Sequence, residues 1–150
     1  MTEPAAEPTD FSERTVDPMQ DRAERAEAMY RSLVDTMSGV TYSESLDDSR
    51  SLSISPQIKE LVGYSQEEWI SNPHLWVEIL HQEDREWVVA SCHEANESST
   101  SWLAEYRIVT RDGRVIWVRD RATLVRGPHG QPLCWQGVML DITALKEDAP

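Results

Sequence analysis

The last third of this 150-residue chain alternates apolar and polar side chains in runs separated by tight-turn sequences, and this pattern constrains the fold more than any other feature. Trp102 to Thr110 and Val115 to Val125 flank Arg111, Asp112, Gly113 and Arg114. An Asp-Gly pair between alternating runs signals a hairpin, because its central positions tolerate positive φ. A second break, Gly127, Pro128, His129 and Gly130, leads into Leu133 to Ile142, so three successive antiparallel strands are predicted. Alternation places Glu105 and Arg107 on one face and Tyr106 and Ile108 on the other, and it separates Arg119 and Arg121 from Val118 and Asp120. The charged residues read as a cross-strand ladder on an exposed or partner-facing surface.

Upstream the pattern is different. Val40 to Glu44 and Leu52 to Ser55 are short strand-like runs around the acidic segment Ser45 to Arg50, which reads as a hairpin. Ser55 and Pro56 suit the N-cap and first turn of a short helix over Ile58, Leu61 and Val62 that Gly63 closes. Ser65 and Glu68 form a capping box for a helix carrying Trp69 and Ile70, which Asn72 and Pro73 stop. Trp76, Val77, Ile79 and Leu80 make a further apolar segment, and a longer helix runs from Glu83 through Trp87, Val88 and Cys92 to Ala95. The order predicts an α+β fold in which helices are inserted between the second and third strands of a five-stranded antiparallel sheet. Helices on one sheet face leave room for a small cavity beneath them.

At the N-terminus, residues 1–16 are acidic and proline-interrupted and read as a disordered tail. Asp17 and Pro18 then cap a helix over 17–37, along which Met19, Ala23, Ala26, Tyr30, Leu33 and Met37 recur at spacings of four and three. Such a stripe suits packing on the domain's own sheet or a coiled-coil seam with a second copy of the chain, and a homodimer is expected from it. Residues 38–143 form the domain proper. Thr143 caps a further helix over 144–150, read as the start of a linker. A chain that stops where a helix starts is expected to be the N-terminal piece of a longer protein, with a free-standing regulator as the alternative.

The net charge of −13 opposes binding to nucleic acid and to anionic lipid. No run of apolar residues approaches the roughly twenty needed to span a bilayer, and Met1 to Glu13 lacks the features of a signal peptide, so the chain is expected in the cytoplasm. Cys92 and Cys134 are too few and too distant to suggest a disulfide framework or a zinc site. His74, His81, Glu83 and Asp84 fit no helical metal-binding pair, and no metal is assigned. Instead His81 is expected to help end one helix and Asp84 to cap or charge the next. No nucleophile has a base and an orienting partner, and there is no glycine-rich phosphate loop, so no catalytic residue is assigned.

Several segments together resemble the PAS domain family. Ser55, Pro56 and Gln57 resemble its SPQ motif, and Leu61, Gly63, Tyr64, Ser65, Glu68 and Trp69 its LGYS-EEW signature. His81 to Arg85 looks like its HPDDR segment, with Gln82 where proline is usual, and Glu105 to Arg107, Asp112, Gly113 and Trp117 look like its EYR, DG and RWV strands. Gly137, Asp141, Ile142 and Thr143 match its closing G and DIT. The resemblance implies a sensory, non-catalytic module that dimerises through an N-terminal helix and regulates an output domain such as a kinase, nucleotide cyclase or phosphatase. The alternatives are a stand-alone protein-interaction module with a filled core and a haem-based gas or redox sensor.

No cofactor is assigned. Nothing resembles the reactive-cysteine helix of flavin photoreceptors in the family, and His93, where a haem-binding member would be compared, lies beside the apolar face of its helix and reads as a rim residue. A small ligand is expected to be lined by Ile54, Ile58, Leu61, Trp76, Tyr106 and Trp117. Asp141, where the last strand meets the outgoing helix, is expected with Thr143 to couple core to linker, or merely to cap that helix.

Overall fold

The computed structural model describes residues 17–36, 38–47 and 50–147, with residues 33–36 described in backbone only. The expected tail, the side chain of Leu33, and Met37 lie outside that description. A first helix, α1 (Pro18–Thr36), forms a unit separate from the domain that begins at Thr36. Asp17 Oδ1 accepts the Met19 N–H at 3.0 Å, and Pro18 has no N–H to leave orphaned, so the helix starts as the sequence predicts. Asp21 with Arg25 and Glu27 with Arg31 add i,i+4 ion pairs along it. Among the described side chains of the stripe, Met19 is 79% exposed and Tyr30 50%.

The domain contains β1 (Val40–Glu44), β2 (Ser51–Ile54), α2 (Ile58–Val62), α3 (Gln66–Ser71), α4 (Leu75–Ile79) and α5 (Arg85–Ser98), followed by β3 (Trp102–Val109), β4 (Val115–Arg126), β5 (Pro132–Asp141) and α6 (Thr143–Glu147). The strands form one antiparallel sheet in the order β2-β1-β5-β4-β3, the predicted α+β plan. Period-two burial along β3, with Trp102, Ala104, Tyr106 and Ile108 inward, fixes which face the helices cover. Those side chains share one core with Ile58, Val62, Trp69, Leu75, Ile79, Val88 and Ala95 from α2 to α5.

Local chemistry explains most boundaries. Gly63 ends α2 at φ +86°, and a Cβ there would lie 2.9 Å from that of Arg111, so both conformation and space require glycine. The capping box is present: Ser65 Oγ accepts the Glu68 N–H at 3.1 Å and Glu68 Oε1 accepts the Ser65 N–H at 3.2 Å. Glu68 also holds Arg111 at 2.8 Å, and the Arg111 guanidinium lies 5.2 Å over the Tyr64 ring, which ties α3 to the Asp112-Gly113 turn.

Two caps differ from the sequence expectation. Ser55 does not cap α2. It stands beside β1 at the end of β2, where its Oγ accepts the Thr41 N–H at 3.0 Å, and Gln57 takes the N-cap position. Asp84 occupies the N-cap of α5 but makes no cap bond with its side chain. Its carboxylate instead accepts the Arg107 backbone N–H and Nε, both at 2.9 Å, and the second guanidinium nitrogen at 2.7 Å. A strand edge carries unpaired backbone groups, and on β3 the segment before α5 takes them up: the His81 N–H donates to the Arg107 carbonyl at 3.0 Å. A buried carboxylate facing a guanidinium fork gains more there than at an exposed helix end.

Gly137 on β5 has a structural role of its own. It pairs with Tyr42 on β1 and with Ala122 on β4, and the Tyr42 ring crosses directly over it. A Cβ at Gly137 would overlap Cζ and Oη of Tyr42. Gly137→Ala is therefore expected to destabilise the domain by about 1–3 kcal/mol, the usual cost of overpacking. In a Tyr42→Ala background most of that penalty should vanish, as measured by urea denaturation of the four variants of the cycle. Equal cost in both backgrounds would mean that the crossing does not constrain the glycine.

Candidate functional site

Between the sheet and helices α3 to α5 lies a cavity of about 320 Å³, at the lower end of the roughly 300–1,000 Å³ of small-molecule sites. The strands contribute Tyr42 and Glu44 from β1, Trp102 from β3, Asp120 and Ala122 from β4, and Trp135 and Met139 from β5. The helical side contributes Trp69, Trp76 and Val77, and from α5 Val89, Cys92, His93, Ala95 and Asn96, with Pro73 and His74 from the turn before α4. Three aromatic rings pack beside one another at its base. Trp76 and Trp102 meet edge to face at 6.2 Å and 86°, and Trp102 stacks on Tyr106 at 6.1 Å.

Asp120 stands on the inward face of β4 and is 2% exposed, a carboxylate in the apolar core. Tyr106 on the neighbouring strand donates its hydroxyl to Oδ2 at 2.7 Å, and Tyr42, reaching across Gly137, donates to Oδ1 at 2.5 Å. Trp76 Nε1 donates to the Tyr106 hydroxyl at 3.0 Å, which extends the network to α4. Burial pushes the Asp120 carboxyl up to about 6, outweighing the two phenol hydrogen bonds that favour its ionised form. Both phenols are raised well above their ordinary range by burial and by Asp120. Glu44, further along β1 on the same face, is pushed up to about 7 by burial and then by the charge of Asp120. Burial pushes the Cys92 thiol to about 12, which makes it an unreactive wall residue. Trp135 is 6% exposed, and its Nε1 is buried without a hydrogen-bond partner among the described residues.

The expected ligand-contacting residues are only partly brought together. Trp76 is on the cavity wall, and Tyr106 lies behind it through its hydroxyl network. Ile54 and Ile58 are buried in the core and Leu61 packs against it, but none of them lines the cavity. Trp117 belongs to the opposite face: strand alternation pairs it with Arg107, and its ring lies beneath the Lys146 ammonium at 4.8 Å and the Arg107 guanidinium at 5.4 Å. His93 is exposed at the rim, with Nε2 3.1 Å from a Glu97 carboxylate oxygen. The expected charged ladder is present on the outer face, where Glu105 holds Arg119 at 2.6 Å and Lys146 at 2.9 Å.

Asp141 and Thr143 meet at the start of α6. Asp141 Oδ1 accepts the Thr143 N–H at 2.9 Å and its hydroxyl at 2.6 Å, while Thr143 Oγ1 accepts the Trp117 N–H at 3.0 Å. Ile142 N–H donates to the Trp117 carbonyl at 2.9 Å. The first turn of α6 is thus tied to β4 three residues from Asp120.

Tyr42, Glu44, Asp120, Trp102 and Trp135 line the cavity although none of them is among the expected ligand contacts. A signal for two of them was available. Asp120 alternates with Val118 and Ala122, and Glu44 with Val40 and Tyr42, so each is an acid on the apolar face of its strand.

The family model described as PAS fold matches residues 51–139, more than half of the chain. A methyl sulfide methyltransferase-associated sensor of Methanosarcina acetivorans is 34% identical over 95 residues, 63% of this chain. The match spans only 9% of that protein's length. The N-terminal domain of a diguanylate cyclase with PAS/PAC sensor from Marinobacter aquaeolei is 31% identical with a TM-score of 0.66, over 72% of this chain and 98% of that one. A sensory box histidine kinase/response regulator from Burkholderia thailandensis gives 24% identity and a TM-score of 0.60, over 79% of this chain and 88% of that one, a likeness of fold.

A carboxyl whose pKa is higher folded than unfolded holds its proton more tightly in the native state, so its contribution is present at low pH and is lost as pH rises through the folded value. Asp120 and Glu44 both have this sign, with windows from about 4 to 6 and from about 4.5 to 7. Asp84, held down at about 2 by its hydrogen bonds to Arg107, has the opposite sign and matters only below about pH 4. The unfolding free energy should therefore fall on the order of 4 kcal/mol between pH 5 and pH 7.5, and Asp120→Asn should make the fall shallower. Urea denaturation across that range tests it, and a flat or rising profile would contradict the assignment.

Proposed function

The chain belongs to the PAS-fold family, and on that premise we propose that it is a sensory signal-transduction module whose ligand occupies the cavity under α3 to α5. The observation that carries this reading is the cavity itself, walled by aromatic rings yet holding two inward carboxyls and the unpartnered Trp135 Nε1. Core positions filled only for packing do not retain polar groups of this kind at a cost in stability. The ligand contacts would be Trp76 with Tyr42, Glu44, Trp102, Asp120 and Trp135.

The route out runs through β4. Ligand contact with Asp120 alters the hydrogen bonding of a residue whose strand neighbours, Trp117 and Arg119, hold Thr143 and Glu105 on the other face. Asp141 and Thr143 then act as the coupling point to whatever follows α6. The diguanylate cyclase and histidine kinase neighbours support an output partner of that kind, and a phosphatase would serve the same role. The open stripe of α1, Met19, Ala23, Ala26 and Tyr30, has the spacing of a seam with a second copy and supports a homodimer. No helix among the described residues is long and apolar enough to cross a membrane, which accords with a cytoplasmic module.

Native and then denaturing mass spectrometry of the purified protein, with an absorption spectrum of the same sample, tests the reading. A dimer that releases a small molecule on denaturation is the expected result. An empty dimer that also binds no added small molecule would make this a protein-interaction module, and a Soret band would make it a haem sensor.

A further inference from the structure

We propose that the cavity takes a small organic cation, an ammonium head carrying a hydroxyl, seated against the indole faces and countered by Glu44 and Asp120. This rests on the reading of the cavity as a ligand site and adds the chemical class of the ligand.

The first support is the sign of the wall. Among the described residues, Glu44 and Asp120 are its carboxylates, and neither Lys nor Arg lines it. Its basic side chains among the same residues are His74 and His93, and the second already faces Glu97 at 3.1 Å. An anionic ligand would meet two carboxylates with no counter-charge, and a neutral one would leave both without a cation.

The second support is the aromatic surface. Trp76 and Trp102 stand at 86° with ring centroids 6.2 Å apart, so their faces form a corner, and Trp69, Trp135 and Tyr42 add further rings. The face of an aromatic ring carries negative quadrupole charge and attracts a weakly hydrated ammonium, an attraction worth more where water is excluded.

The third support is what the unliganded site leaves unpaired. Asp120 is bound by two phenols, whereas the Glu44 carboxyl has no hydrogen bond or ion pair with any described residue, and burial raises it to about 7. A cation beside it would stabilise the ionised form that burial opposes. Trp135, directly opposite Glu44 in the β1–β5 ladder, has a buried Nε1 with no acceptor. An ammonium group cannot satisfy a donor, so the ligand needs an acceptor oxygen too. A hydroxyl supplies one without bringing negative charge to an acidic wall.

Choline and its uncharged isostere 3,3-dimethylbutan-1-ol share shape and hydroxyl and differ in charge alone. Titrated separately into the full chain at pH 8, with tryptophan fluorescence and calorimetry as readouts, choline should bind at least about tenfold more tightly, the gain expected from charge-assisted contact. Glu44→Gln should weaken choline by about tenfold while leaving the isostere unchanged and the thermal midpoint no lower. If the two probes bind equally, or if Glu44→Gln leaves choline binding intact, the ligand site stands and its cationic class is wrong. If neither probe binds, the cationic class is wrong as well. The mass spectrum then decides the underlying reading separately: a released neutral or anionic molecule preserves the ligand site, and an empty protein removes it.

Discussion

A carboxylate in an apolar core is tolerable only when its hydrogen bonds are supplied from within the fold, and Asp120 sets that requirement for the whole domain. Its donors come from β1 and β3, on either side of the β5–β4 pair, so the network joins strands that are not neighbours in the sheet. The Tyr42 hydroxyl can reach it only by lying over β5, and this makes Gly137 obligatory. Trp76 Nε1 extends the same network to the helical layer. One buried acid therefore sets the position of side chains on both sides of the cavity.

The two faces of β4 do different work. Inward, Asp120 and Ala122 form cavity wall; outward, Trp117 and Arg119 hold the first turn of α6 and the Glu105 ion pairs. A strand cannot shift one face without the other, since successive side chains share a single backbone. Asp120 and the Trp117 N–H that binds Thr143 Oγ1 thus lie three residues apart on one strand. The Lys146 ammonium, shared between the Trp117 ring and Glu105, fastens α6 to the same surface.

The fold was legible in the sequence because its boundaries are set by local chemistry: the Asp-Gly turn, the Ser65 and Glu68 capping box, the positive-φ Gly63, and strict alternation along β3. Caps were misread where long-range demand overrode them. Ser55 and Asp84 have cap chemistry, but one serves a strand backbone and the other a guanidinium more than twenty residues away in sequence. The site was less legible. Ile54, Ile58 and Leu61 are apolar and inward, but only packing decides which inward residues border empty space. Trp117 is expected at the ligand against its own alternation with Val118, whereas alternation does place Asp120 on the face of Val118, apart from Arg119 and Arg121, with nothing local to say what it bonds. The crossing of Tyr42 over Gly137 is a contact between strands nearly a hundred residues apart in sequence, and no local pattern announces it.

The coupling free energy between Tyr42→Phe and Asp120→Ala, obtained from urea denaturation at pH 8 of the parent, both single variants and the double variant, tests the central claim most directly. If the phenol of β1 is a donor to the buried carboxylate of β4, the two changes should be non-additive by about 1 kcal/mol or more. Additivity within about 0.3–0.5 kcal/mol would mean that the two residues act independently, and that the sheet is not organised around Asp120.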